Sequence, residues 1–310
     1  MTQPIWITGG KGFIGRNLAQ YISKKSQTVR GLGHGFWTED DFAPWGFKSW
    51  LNAEVDFSSL SHLASSFGLP NIIFHLAGGS AVGPSIQNPY EDFQRTVETT
   101  ARLLEWVRQH APETRVVGVS SAAVYGAGFT GPISEQAQST PFSPYGFHKA
   151  MLESLFASYR ETYGLKLGVA RLFSVYGPGL EKQLLWDICQ KLEKANDGEV
   201  LLHGTGRELR DWLHVNDACD LLWRMATTPE LPQVINGGTG QATSIAGIAA
   251  LVSAAWGGRN NIVFSGIGRK GDPASLVADI TRARELGFSP KITTDMGIEE
   301  VVRWYRARSR

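Results

Sequence analysis

Pro4-Ile5-Trp6-Ile7-Thr8-Gly9-Gly10-Lys11-Gly12-Phe13-Ile14-Gly15 passes without a break from a strand signal to a helix signal. A short apolar run ends in glycines at 9, 12 and 15, spaced three apart. Phe13, Ile14, Leu18, Tyr21 and Ile22 then recur near helical spacing. Glycine permits a tight turn and a close approach of the backbone to a pyrophosphate. The helix start supplies unpaired N–H groups and the positive end of a dipole. A glycine loop alone would mark only a turn. With a strand before it and a helix after it, the loop predicts a phosphate site at Gly9, Lys11, Gly12, Phe13, Ile14 and Gly15.

Further along, the same alternation repeats. Thr28 to Leu32, Asn71 to Ala77, Arg115 to Ser120 and Leu167 to Phe173 read as strands. Tyr90 to His110 and Tyr145 to Tyr163 read as helices. Strands alternating with helices of this length predict βαβ units and an α/β, doubly wound parallel sheet. From about Gly177 the strands shorten and the loops carry arginines, which predicts a smaller C-terminal domain. Trp37, Trp45 and Trp50 fall in a loop-like region after the second strand and read as a local packing cluster.

Composition sets the outer bounds. The chain has 310 residues, a net charge of +1, 42% hydrophobic and 19% charged residues. That excludes a disordered chain and speaks against a nucleic-acid binder, which would show a basic face. The longest apolar stretch, Ile245 to Trp256, is too short for a membrane span of about 20 residues. Cys189 and Cys219 form no disulfide framework. No metal-ligand spacing is present, and the start lacks a secretory signal pattern. A cytoplasmic protein with no membrane partner is the expectation.

A dinucleotide site usually places an acid at the end of the second strand, on the ribose hydroxyls. Here Gly33-His34 stands there. Without a carboxylate, a 2′-phosphate meets no repulsion, and Lys11, Arg30 and His34 can supply positive charge. NADP(H) is therefore expected over NAD(H); the alternative is that these cations are solvated and either cofactor binds. Asp56-Phe57 stands either at the adenine edge or in a plain turn.

Tyr145-Gly146-Phe147-His148-Lys149 opens a helix after Ser143-Pro144. Positions i and i+4 share a face, so the phenol and the ammonium point one way. A free phenol titrates near pH 10, and a nearby ammonium favours the phenolate. Ser120 and Ser121 end the strand from Arg115, at the carboxyl edge where open α/β sheets bind ligands. A serine hydroxyl there can hold a substrate oxygen beside the phenol. Ser121, Tyr145 and Lys149 are the catalytic candidates.

In combination these segments resemble the extended short-chain dehydrogenase/reductase superfamily, in its NAD-dependent epimerase/dehydratase branch. The resemblance rests on Thr8 to Gly15, His75-Leu76-Ala77-Gly78, Ser120 to Gly126, Ser143 to Lys149, Arg171 to Pro178, Arg210 to Asp217 and Arg269 to Pro273. It implies a Rossmann domain over 1–176, with about 210–240 returning to it, and a mainly substrate-binding domain over 177–310. It implies cofactor contacts at Leu76, Ala77, Gly78, Thr96, Val119 and Phe173 as well as the glycine loop. It implies a nucleotide-sugar substrate, with Ser80, Ser85, Ser121, Ser174, Gln183, Arg210, Arg269 and Asp272 contacting it. Tyr145 would move a proton at a sugar oxygen while Lys149 holds the nicotinamide ribose and lowers the phenol's pKa. A homodimer through the helices Tyr90 to His110 and Tyr145 to Tyr163 is implied as well.

The chain departs from that family at informative places. The family's 4,6-dehydratases carry an acidic pair after the active Ser/Thr; Ala122-Ala123 stands here, so dehydration is not expected. Ser174 and Thr96 each stand where Asn is usual. The expected activity is NADPH-dependent reduction of a nucleotide 4-keto(-6-deoxy)hexose. The alternative is an NAD-dependent nucleotide-sugar 4-epimerase. A third reading is a cofactor-sensing protein on the same fold, against which the intact Ser121, Tyr145 and Lys149 speak, since a sensor needs no proton donor.

Overall fold

Every residue of β1 (Ile5–Thr8) is buried, because the strand is covered on both faces. Alternate side chains point to opposite faces, and the two faces meet different cores. Ile5 and Ile7 pack with Leu18 and Ile22 of α1 (Phe13–Ser23). Trp6 packs with Leu60 and Leu63 of α2 (Phe57–Phe67) and with Trp106 and Val107 of α3 (Thr99–His110). Each such side chain contributes about 1.5–3 kcal/mol by leaving water. The computed structural model describes residues 4–195, 198–268 and 273–308.

Six further strands join β1: β2 (Val29–Gly33), β3 (Phe47–Asn52), β4 (Ile72–His75), β5 (Arg115–Ser121), β6 (Leu167–Leu172) and β7 (Val234–Gly237). Their order is β7-β6-β5-β4-β1-β2-β3, and every neighbouring pair is parallel. The doubly wound sheet is therefore Rossmann-like. Chain direction across the sheet reverses between β1 and β4, the place where such sheets open a crevice for ligands.

α4 (Pro144–Tyr163) shows why the Tyr–Lys segment is helical. The Ser143 side chain accepts from the Gly146 N–H at 3.2 Å, Pro144 takes the first turn, and Gly164 ends the helix in a left-handed conformation. α5 (Gln183–Ala195) contributes Leu185, Ile188 and Cys189 to a third core, which also takes Val252, Val302 and Tyr305. α6 (Val215–Thr227) returns to the first core through Leu221 and Leu222.

Two local expectations fail for physical reasons. The tryptophan region is not all loop: Trp50 lies on β3, a half-exposed edge strand without a Val or Ile and so without a strand signature. Trp37 packs edge-on against Trp50 at 5.3 Å and against Phe47 at 5.8 Å. The helix read over Tyr90 to His110 is three segments, Pro89–Phe93, a π-helical turn Gln94–Glu98, and α3. Such π turns recur at functional sites, and this one carries Thr96.

Candidate active site

A cleft of about 1300 Å³ opens along the carboxyl ends of the strands. Its cofactor half is built by the glycine loop. Gly9 is left-handed at φ +68°, and an added Cβ would stand 2.7 Å from the Ala77 backbone nitrogen, so no other residue fits there. Gly12 caps α1 without a side-chain hydrogen bond, and the first turn of α1 has no acid. The open N–H groups and the dipole end form a donor set that fits a diphosphate. Gly9, Lys11, Gly12, Phe13, Ile14, Gly15, His34, Leu76, Ala77, Gly78, Val119 and Phe173 all line the cleft.

Three expected cofactor contacts lie elsewhere. Arg30 stands on β2 before the strand's end, facing α2; its guanidinium lies 3.6 Å from the Phe67 ring centroid and donates to Ser49 Oγ at 3.1 Å. Asp56 caps α2, accepting from the Ser59 N–H at 2.8 Å. Phe57 lies on the outer side of α2, edge-on to His110 at 6.0 Å. Glu54 and Val55 line the cleft in their place.

Two further corrections concern support. Thr96 is fully buried and accepts from the Gly79 N–H at 2.8 Å, so it holds the loop after β4 rather than facing the cleft. Ser85 is also fully buried; it donates to the Val82 carbonyl at 2.7 Å and accepts from the Tyr145 N–H at 3.0 Å. It grips the start of α4 and does not line the cleft. Ser80, Ser174, Gln183 and Arg210 line the cleft. Arg269 and Asp272 lie outside the described residues.

Ser121, Tyr145 and Lys149 converge at the carboxyl end of β5. Ser121 and Tyr145 line the cleft side by side, and the serine hydroxyl acts to pull the phenol's pKa down. Burial outweighs it, and Asp92 adds to the rise, so Tyr145 titrates above the usual phenol range. Lys149 Nζ donates to the Val119 carbonyl at 3.0 Å and lies 5.8 Å from the Tyr145 ring centroid. The ammonium thus faces the Tyr145 ring while its hydrogen bond goes to β5. Burial lowers Lys149 itself to about 8, against the opposing pull of Asp92 and Glu153.

Residues 5–238 match the NAD dependent epimerase/dehydratase family. The chain belongs to that family. Its relatives include the dTDP-glucose 4,6-dehydratase of an Actinoplanes species, 34% identical over 98% of each chain. The UDP-glucose 4-epimerase of Thermotoga maritima, solved with UDP-glucose, is 25% identical and covers 99% of this chain and 100% of its own, with a TM-score of 0.88. MoeE5, solved with UDP-glucuronic acid and NAD, is 28% identical over 99% of this chain and 100% of its own, with a TM-score of 0.85. The chain is thus an enzyme of this family, and the names of these relatives carry nucleotide-sugar substrates and, for MoeE5, NAD.

Within this family member, sequence reasoning missed one buried pair. His148 Nδ1 lies 2.6 Å from Asp92 Oδ2, and both side chains are buried. An added Cβ at Gly79 would stand 1.8 Å from Asp92 Oδ1. The pair joins the segment Pro89–Phe93 to α4 beside the loop after β4, and Asp92 is near enough to act on Lys149. His148 is the i+3 neighbour of Tyr145, but nothing in the sequence spacing marks Asp92 as its partner. His75, by contrast, is structural: it lies between Thr8 Oγ1 at 2.7 Å and Thr100 Oγ1 at 3.1 Å. Burial, aided by Lys149, drops it to about 3, so it stays neutral. Among the described residues no three His, Cys, Asp or Glu side chains gather as metal ligands.

Proposed function

We propose that the protein is a nucleotide-sugar 4-epimerase. The observation that carries this reading is the convergence of Ser121, Tyr145 and Lys149 on the lining of one cleft, with the neutral Ala122-Ala123 beside them. A phenol and a hydroxyl can handle the proton on one sugar oxygen. No acid follows Ser121 to expel a second hydroxyl, which separates the chain from a dehydratase. A bound nicotinamide would take hydride from the sugar carbon and return it.

The protein's own groups then have defined tasks. Ser121 Oγ and Tyr145 Oη grip the C4 oxygen. Tyr145 takes its proton when the carbon is oxidised and gives it back when the carbon is reduced. Lys149 holds positive charge behind the phenol, and the N-terminus of α1 holds the cofactor's diphosphate. Oxidation needs the phenolate, so Lys149 must act closer to the phenol in the loaded enzyme than in this structure.

A second reading, the NADPH-dependent 4-keto reductase, is favoured by two observations. The raised Tyr145 pKa suits a proton donor. The end of β2 presents Gly33 and His34 without a carboxylate, and Lys11 lies close by. The separating experiment is incubation of purified protein with UDP-glucose or UDP-glucuronic acid, without added cofactor, followed by NMR. Catalytic interconversion of C4 epimers supports the epimerase. No interconversion, with NADPH consumed against a 4-keto nucleotide sugar, supports the reductase. Under either reading Tyr145→Phe keeps cofactor binding and loses turnover by about 100-fold or more; full activity in that variant sinks both. A homodimer through the stretches Tyr90 to His110 and Tyr145 to Tyr163 belongs to the same proposal, to be measured by light scattering.

A further inference from the structure

The sugar half of the cleft holds a cation with no task in the mechanism above. Lys182 lines the cleft just before α5, and its Nζ donates to Ser80 Oγ at 2.8 Å. Ser80 stands two residues beyond Gly78, where an added Cβ would be 3.3 Å from Lys149 Nζ. Two residues of chain reach at most about 7 Å, so the Lys182–Ser80 bond lies close to the reacting centre. Both side chains are solvent-exposed at the mouth of the cleft, and partial burial of the ammonium lowers its pKa. An ammonium that already donates to a cleft hydroxyl is placed to make a charge-assisted hydrogen bond to an anionic ligand there.

The backbone fixes where this ammonium sits. Gln183 is held at φ +69°, a left-handed conformation rare outside glycine and concentrated at ligand sites. The Arg16 guanidinium donates to the Gly179 carbonyl and ties the segment leading to Lys182 onto α1. A second cation serves the other side of the substrate half. Arg210 donates to the carbonyls of Leu209 and Pro273, each at 2.8 Å, beside Leu276. Arginine there suits a diphosphate, which leaves Lys182 beside the sugar.

We propose that Lys182 and Ser80 bind a carboxylate on the sugar ring, so that the substrate class is a nucleoside-diphosphate hexuronate. The proposal rests on the 4-epimerase reading for its reaction but not for its binding. The ammonium pairs with one carboxylate oxygen and the Ser80 hydroxyl donates to the other, whereas a neutral hydroxymethyl group gains no charge-assisted bond.

The test is calorimetric binding of UDP-glucuronic acid, UDP-glucose and UDP to the cofactor-loaded protein, for the wild type, Lys182→Met and Lys182→Arg. The wild type is expected to bind UDP-glucuronic acid at least about tenfold tighter than UDP-glucose. Lys182→Met is expected to lose about 10- to 100-fold on UDP-glucuronic acid and to stay within about threefold on the other two, while Lys182→Arg keeps the preference. Equal loss on all three ligands assigns the ammonium to the diphosphate and overturns the proposal. So does a wild-type preference for UDP-glucose, or binding of none of the three. Turnover is followed separately by NMR. A Lys182-dependent preference for the hexuronate without formation of its C4 epimer would refute the epimerase reading and leave the carboxylate site standing.

Discussion

Replacing Ser85 by alanine separates two roles that its position in the sequence leaves confounded. The side chain is fully buried and makes two hydrogen bonds, to the Val82 carbonyl at 2.7 Å and from the Tyr145 N–H at 3.0 Å. The second satisfies one of the donors that the start of α4 cannot pair within the helix. Losing a cap-type bond costs about 0.5–2 kcal/mol, and leaving a buried donor unpaired costs about 1–3 kcal/mol. Ser85→Ala is therefore expected to destabilise by about 2 kcal/mol, which lowers the thermal midpoint by about 3 °C in a chain of this size. Tyr145 also loses the contact that fixes its backbone. A displacement of about 1 Å can cost about 100-fold in rate, and a partial slip is expected to cut kcat by about tenfold. KM should stay within about twofold, because Ser85 touches no ligand. Calorimetric melting and steady-state kinetics on one preparation decide it. A KM raised about tenfold with an unchanged thermal midpoint would mean that Ser85 holds the sugar after all, and would refute the reasoning.

Lys149→Met should abolish turnover yet stabilise the fold at pH 7. Burial moves Lys149 from 10.5 to about 8, which corresponds to about 3 kcal/mol at about 1.4 kcal/mol per decade in proton affinity. Below pH 8 the ammonium is charged in the folded and the unfolded chain, so its full desolvation cost falls on the fold. Between pH 8 and 10.5 only the unfolded chain keeps the proton, so wild-type stability rises and the variant's advantage shrinks. An advantage that stays constant from pH 7 to 10 would contradict this assignment. Arg30→Ala should leave the ratio of NADPH to NADH affinity within about twofold by fluorescence titration, since its guanidinium stacks on Phe67 away from the cleft; a larger change would return Arg30 to the cofactor site.

Periodicity carried much of the architecture. β1, β4 and β6 are buried throughout and β5 over most of its length, so each carries a short apolar run, and α1 and α4 announce themselves by glycine and proline punctuation. β3 was illegible because an edge strand needs only one apolar face. The π turn was illegible because one extra residue in a helical turn leaves no mark in composition.

The candidate site divides along the same line. Groups presented by one local segment were readable: the glycine loop, the i,i+4 spacing of Tyr145 and Lys149, and Ser121 at a strand end. Groups whose role depends on a partner distant in the chain were not. Ser85 and Tyr145, Asp92 and His148, and Ser80 and Lys182 each meet only after the sheet is assembled. Arg30 was misplaced for the converse reason, since its charge is visible in sequence but the face of β2 from which it projects is set by packing against α2. Sequence by itself determined the order of strands and helices and the local chemistry each one carries, because those follow from spacing over a few residues. Only the tertiary structure decided which side chains face the cleft, which hold it in place, and how far burial moves their protons, because those depend on neighbours brought together from across the chain.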